Sequence, residues 1–216
     1  MPKNKSILDR LSEGRQYRDI DLSQIERRES QDGEKTVEGY ATTFNTPYVL
    51  WSYDGYTVME QIDREAFKDC DMTDVIMQYN HEGRVFARTG NGTLEVSPDL
   101  KGLHIRANLG GTELGSQVYE EINGGYTNKM SFGFKVGEDK REVTEDHENN
   151  TVTVLRTITK ISKLYDVSAV SLPANDATSI SARDFGEGLI EEIKQELLAR
   201  GDRERRKRII KLLTEV

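Results

Sequence analysis

Residues Asn128–Phe134, NKMSFGF, carry the alternation on which the reading of this chain turns. Met130, Phe132 and Phe134 recur at every second position, with Lys129, Ser131 and Gly133 between them. Side chains alternate across a strand, so this period describes a half-buried β-strand with three large apolar side chains turned to a core. Ser131 then stands on the open face, beside a glycine with no side chain to crowd it. A small nucleophile so placed needs a base within hydrogen-bond reach and a third group to orient that base.

The flanking segments build a β-rich framework around this strand. Immediately upstream, TELGSQVYEEINGG has Leu114, Val118 and Ile122 at helical spacing, with Thr112 ahead of them and Gly124-Gly125 as a stop. Earlier, KTVEGYATTF and YTVMEQI read as strands, the first with a bulge at Gly39. DREAFKDC reads as a short helix capped by Asp63. In DVIMQYNHEGR, Val75, Met77, Tyr79 and His81 share one face before Gly83 breaks the run. GTLEVS, the turn PDLKG and LHIRANL form a hairpin in which Leu103, Ile105, Ala107 and Leu109 face one way.

Downstream, GEDKREVTEDHENN reads as a charged loop or hairpin tip between the opening strand and the long strands TVTVLRTITKI and KLYDVSAVSLPAN, with Pro173 ending the pairing. LIEEIKQELLAR is an amphipathic helix, and Gly201-Asp202 stops it and caps a second, RERRKRIIKLL. This order predicts an α+β fold, a mainly antiparallel, barrel-like β core with flanking helices. Residues 1–34 are expected to be a charged, mobile arm with a short amphipathic helix around Ile7–Leu11. Residues 35–185 form the core domain and 186–216 a helical tail.

Composition narrows the classes of function. A net charge of -8 does not suit a nucleic-acid partner. Cys70 is the single cysteine, so no intrachain disulfide forms, which fits a reducing compartment. No run of about 18 apolar residues is present to span a membrane, and the first residues, MPKNKSILDRLSEGRQYRD, lack the apolar centre of a signal peptide. The expectation is a soluble intracellular protein. The histidines His81, His104 and His147 are far apart and no Cys/His cluster accompanies them, so no metal or cofactor is expected. There is no G-x-S-x-G elbow and no phosphate-binding loop.

Three residues remain as chemistry. His147 lies in an acidic stretch and His104 points outward from a strand, so both are solvated by default. His81 ends an apolar-patterned strand at a glycine turn, a usual place for a working residue, although a plain structural role competes. Tyr165, Val167 and Ala169 share one face, which leaves Asp166 and Ser168 on the other. A carboxylate amid apolar strand residues needs a partner, either a histidine or one of the many lysines and arginines. Cys70 is a poor rival nucleophile, because Asp69 and Asp71 beside it disfavour the thiolate.

The motifs GYATTFN, NHEGRVFARTGNGTLEVSPDLKGLHIRANL, KMSFGF and LYDVSAVSLPAN, in this order and spacing, resemble the tailed-bacteriophage prohead (head-maturation) serine proteases, related in fold to the herpesvirus assemblins. The resemblance covers about Lys35 to Ser179. It implies Ser131 as nucleophile, His81 as general base and Asp166 as the acidic member. Many relatives carry glutamate at that last position, and assemblins use a second histidine, for which neither His104 nor His147 lies in the right strand. QIDREAF also departs from the family, where a Pro-Gly pair often precedes Ala-Phe. The neighbourhood of Gly133 would supply backbone N–H groups to an oxyanion, Arg156 would be a cationic helper by analogy to the assemblins, and Ser168 would support the site.

The function so implied is an endopeptidase inside the immature phage capsid in the host cytoplasm. It would cleave scaffold protein, or the scaffold-like segment of the major capsid protein, and then itself. Its partners are these two proteins, with an isologous homodimer as the default oligomer. The basic C-terminal helix would direct packaging, against the plainer reading of a solvated face. A non-catalytic assembly or scaffold-type protein of the same fold is the alternative, and a small-molecule-binding β domain a more distant one.

Overall fold

The apolar face of the opening strand does enter a core. In the computed structural model, which describes residues 14–21, 26–29, 35–127, 129–170 and 180–214, Met130, Phe132 and Phe134 are fully buried. The rings of Phe132 and Phe134 stack with centroids 4.6 Å apart. Each such ring stabilises the fold by about 1.5–3 kcal/mol relative to exposure. The Ile7–Leu11 helix and the Pro173 stop lie outside the described residues.

Among the described residues, eleven strands fall into two sheets. They are β1 (Gln16–Asp21), β2 (Glu26–Glu29), β3 (Lys35–Thr43), β4 (Tyr48–Tyr53), β5 (Tyr56–Ile62), β6 (Ile76–Tyr79), β7 (Glu82–Arg88), β8 (Leu94–Pro98), β9 (Gly102–Asn108), β10 (Lys129–Asp146) and β11 (Thr151–Val170). The larger sheet runs β1-β10-β11-β5-β4, with the β6–β7 hairpin joined to β11 through β6. The smaller runs β2-β3-β9-β8. Pairing is antiparallel except where β11 meets β5 and β6. The fold is therefore α+β and mostly strand, but the strand pairings among the described residues form two open sheets and no closed barrel.

One core fills the space between the sheets. Leu103, Ile105, Ala107 and Leu109 are fully buried, as their alternation predicted, and meet Val75, Met77, Phe132 and Val167 there. Helix α1 (Glu113–Asn123) covers part of this core with Val118, Tyr119 and Ile122. The Gly115 N–H donates to the Thr112 side chain at 2.9 Å, and Gly125, at φ 78°, follows the last turn. Leu114, the first residue of the expected stripe, is 40% exposed.

The hairpin β10–β11 organises the larger sheet. Its charged half, expected as a loop or tip from Gly137, continues as paired strand to Asp146, because Val143 and its neighbours find ladder partners on β11. The hairpin is also bent. Arg18 lies opposite Phe132 and hence Val167, whereas Glu60 lies opposite Arg156, eleven residues earlier on β11, about 36 Å along a straight strand. Yet Arg18 donates to Glu60 at 2.5 and 3.0 Å. Four register shifts between Gly133 and Asp139 supply the bend, as bulges do.

Other expectations are corrected. Residues 16–21 and 26–29 of the arm expected to be mobile are strands, one in each sheet, because β10 and β3 offer them open edges. DREAFKDC is a run of turns with i to i+3 hydrogen bonds, not a helix; the Glu65 N–H donates to Asp63, as at a cap, but the segment is too short to propagate. The irregularity in β3 falls between Tyr40 and Thr42 rather than at Gly39. Strand β4 had no counterpart in the sequence reading. Finally, α2 is a single helix, Ile180–Thr214, running through Gly201 and Asp202. A mid-helix glycine costs only about 1 kcal/mol, too little to stop a helix between good helix formers. None of the helices among the described residues is long and apolar enough to cross a membrane.

Leu189, Ile190 and Ile193 of α2 pack with Leu50, Trp51, Val58 and Val154 in a second apolar cluster. Gly186 permits the approach, since a Cβ there would meet Trp51 Cγ at 2.6 Å. Gly201 has nothing within 4 Å. Ala in place of Gly gains about 1 kcal/mol of helix propensity, whereas overpacking costs about 1–3 kcal/mol. Gly201→Ala is therefore expected to raise the denaturation midpoint and Gly186→Ala to lower it, as urea unfolding of the two variants will measure.

Candidate active site

The register of β10 against β11 sets Ser131 opposite Ser168 and Gly133 opposite Asp166. Residues paired across antiparallel strands point to the same face, so Ser131, Asp166 and Ser168 share one face, opposite the core face of Phe132 and Phe134. β6 lies parallel to β11 on its other side, with Ile76 opposite Asp166 and Tyr79 opposite Ala169. His81 follows two residues later, in the turn to β7.

That turn is a two-residue hairpin loop. Tyr79 pairs with Glu82, and Asn80 and His81 both have positive φ, 50° and 60°. Left-handed backbone at both central positions is the geometry that Asn-Gly usually supplies. Histidine in the glycine position is a strained choice. The Asn80 N–H donates to the Ala169 carbonyl at 2.9 Å, which pins the turn to β11. His81 is thus placed by a turn rather than by the strand alternation.

The three side chains meet. His81 Nδ1 lies 2.5 Å from Asp166 Oδ1, and His81 Nε2 lies 2.6 Å from Ser131 Oγ. The carboxylate only accepts, so Nδ1–H donates to Asp166, Nε2 is the acceptor, and the Ser131 hydroxyl donates to it. Ser168 Oγ–H donates to the same Asp166 oxygen at 2.8 Å. The other oxygen, Oδ2, accepts no aligned hydrogen bond; the guanidinium of Arg15 is ion-paired against it.

Gly133 has a different use from the one expected. A Cβ on it would run into Asp166 Oδ2 and stand 2.8 Å from Arg15 Nε. The absent side chain makes room for the carboxylate that is hydrogen-bonded to His81. Arg156 is also elsewhere. It is fully buried and donates to Glu60 at 2.8 Å, is ion-paired with Asp139 and reaches Gln16. This cluster includes Arg18, whose guanidinium lies over the Phe134 ring, on the face opposite Ser131. A cationic helper at Ser131 is not what these contacts describe. Burial alone would raise the Glu60 carboxyl, but Arg18 and Arg156 hold it down at about 2.

The remaining rivals separate from the site. Burial, with Asp71 adding to it, pushes the Cys70 thiol up to about 11. His104 pairs with Glu38 at 3.1 Å and stands edge-on to Tyr40, and His147 lies in the exposed turn at the hairpin tip. The sequence reading missed two participants, Arg15 and Tyr17. The Tyr17 ring lies 4.2 Å from the His81 ring. Tyr17 belongs to β1 and Arg15 immediately precedes it; six residues of polar, charged sequence, QYRDID, carry no signal that marks a strand beside a site.

Ser131, Asp166 and Ser168 have no exposed surface, and the His81 side chain is 14% exposed. The face foreseen as open is not open at Ser131: His81 lies against its hydroxyl, and β1 pairs along β10 beside it. Burial first, and then the charge of Arg15, lower the His81 imidazole from 6.5 to about 4. It is therefore neutral at pH 7. Above pH 6.5 the folded and unfolded chains are both neutral at this residue. Between 6.5 and about 4 only the unfolded chain takes up the proton, so stability falls as pH drops through this window and the fall ends near 4. The C2–H resonance of His81 should titrate near pH 4, and Arg15→Ala should move the midpoint upward; NMR titration reads both.

Gly133→Ala should displace the Asp166 carboxylate from His81. The expected result is loss of the downfield Nδ1–H proton resonance of a His–carboxylate hydrogen bond, with the fold retained by circular dichroism.

The family model described as caudovirus prohead serine protease matches residues 22–193. No curated protein gave a match. Among solved structures, the bacteriophage T4 capsid assembly protease, gp21, is similar with a TM-score of 0.42 and 11% identity, over 72% of this chain and 96% of that one. With the family model spanning most of its length, the chain belongs to the caudovirus prohead serine proteases.

Proposed function

We propose that this protein is the serine endopeptidase that matures a phage head, with Ser131 as nucleophile, His81 as general base and Asp166 as the acid that orients it. The observation that carries the reading is the continuous hydrogen-bond chain Ser131–His81–Asp166 at 2.6 and 2.5 Å. Ser131 Oγ attacks the scissile carbonyl while Nε2 takes its proton, then returns it to the leaving amine; water repeats the cycle on the acyl-enzyme. Asp166 holds the Nδ1–H tautomer and stabilises the imidazolium. Ser168 fixes the carboxylate from the side. Backbone N–H groups near Gly133 are the proposed oxyanion donors.

The substrates are the scaffold protein or the scaffold-like segment of the major capsid protein, followed by the protease's own ends, within the immature capsid in the host cytoplasm. Residues 35–185 are the proposed protease domain, with the helical tail, 186–216, directing packaging and an isologous homodimer as the oligomer.

Co-expression with capsid and scaffold proteins tests the reading. Ser131→Ala and His81→Ala should each lower the cleavage rate by about 10⁴-fold or more, leaving uncut capsid protein and an untrimmed chain by mass spectrometry. Ser168→Ala, which removes one hydrogen bond to Asp166, should cost about tenfold. Identical capsid-protein lengths in parent and variants would sink the protease assignment and favour a non-catalytic assembly role.

A further inference from the structure

A nucleophile with no exposed surface cannot meet a peptide carbonyl, and the strand that lies beside Ser131 is specific. β1 pairs along β10 from Gln16 opposite Phe134 to Asp21 opposite Lys129, with the Asp19 backbone directly opposite Ser131. A neighbouring strand lies about 4.8 Å away, so β1 holds an extended backbone beside the nucleophile. On the face of Ser131, Tyr17 covers the His81 ring and Arg15 meets the Asp166 carboxylate. On the opposite face Arg18 enters a buried slot ending at Glu60, where the carboxylate also accepts from Arg156 and Tyr48.

Two observations separate β1 from the catalytic unit. The family match begins at residue 22, after β1 ends. Moreover β1 makes a terminal edge of the larger sheet, so its departure breaks the ladder with β10 alone. Glu60 would keep two of its three partners, Arg156 and Tyr48, when Arg18 leaves.

We infer that the edge of β10 from Lys129 to Phe134 is the docking site for the extended substrate segment, that β1 occupies it as an internal surrogate, and that the slot ending at Glu60 accepts an arginine from whichever strand is docked. The inference rests on the proposed protease reading. Peptide strands add to an open sheet edge through ladder hydrogen bonds, which give affinity, while pockets for alternate side chains give selectivity. Here the ladder belongs to β10 and the selective pocket to Glu60. Substrate must displace β1, so the chain is self-inhibited until the local concentration of cleavable segments is high, the condition inside a shell packed with scaffold. Displacement also withdraws Arg15 from Asp166 and Tyr17 from His81, which exposes the site as the substrate arrives.

The test uses the full chain and a fluorescent peptide of residues 14–21, GRQYRDID. Arg18→Ala should loosen β1, so this variant is expected to bind the peptide at least tenfold tighter than the parent and to cleave scaffold at least tenfold faster. The peptide should inhibit that cleavage competitively, and its analogue with alanine in place of the second arginine should bind at least tenfold more weakly. Tyr17→Ala, at a 37% exposed position whose loss leaves the Glu60 cluster whole, repeats the comparison should Arg18→Ala fail to fold. Equal peptide binding and equal cleavage by parent and folded variants would overturn the docking inference while leaving the protease reading intact. Tighter peptide binding by the variants without hydrolysis or fluorophosphonate labelling of Ser131 in any chain would support the strand-docking edge and overturn the protease reading.

Discussion

The backbone register between β10 and β11 is the constraint from which the site follows. Setting Ser131 opposite Ser168 and Gly133 opposite Asp166 brings the serine hydroxyl and the carboxylate to one face. A slip of one residue would turn Asp166 into the core or a phenylalanine onto the site. The register is held from the other face, where Met130, Phe132, Phe134 and Val167 are fully buried. Core packing therefore determines which side chains of β10 and β11 are turned to the face of Ser131.

Within that register two backbone choices complete the geometry. Gly133 leaves the volume in which the Asp166 carboxylate sits. The Asn80-His81 turn puts a bulky residue in left-handed backbone, and its cost, of order 1–3 kcal/mol, is offset by the anchor from Asn80 to Ala169 and by the two hydrogen bonds of the imidazole. Strain and cavity alike serve one hydrogen-bond chain.

The second organising feature is electrostatic. Glu60, Arg156 and Arg18 are buried together inside the bend of the β10–β11 hairpin. Removing one member of a buried pair typically costs about 3–5 kcal/mol, though the intact pair adds little net stability. Such a cluster is better at specifying geometry than at supplying energy. Here it closes the bent hairpin around β5 and fixes β1 against the edge of β10, which links the bend of the fold to access at the site.

Short-period alternation was legible in the sequence. NKMSFGF, LHIRANL and the face shared by Asp166 and Ser168 each read correctly as to which side chains lie together, because a strand's two faces are fixed by local geometry alone. Helix α1 and its Thr112 cap were equally local. The partners of Ser131 came from resemblance to a family, not from pattern: His81 lies fifty residues away and Asp166 thirty-five. What only the tertiary structure decided was everything that depends on two distant segments meeting. The volume that makes glycine necessary at 133, the buried place of Arg156, the continuity of α2 through Gly201, and the ordering of the polar segment QYRDID beside Ser131 are properties of such meetings. The pattern of one strand records which way its side chains point. It contains no information about which open edge, cavity or counter-charge the rest of the chain will bring against them.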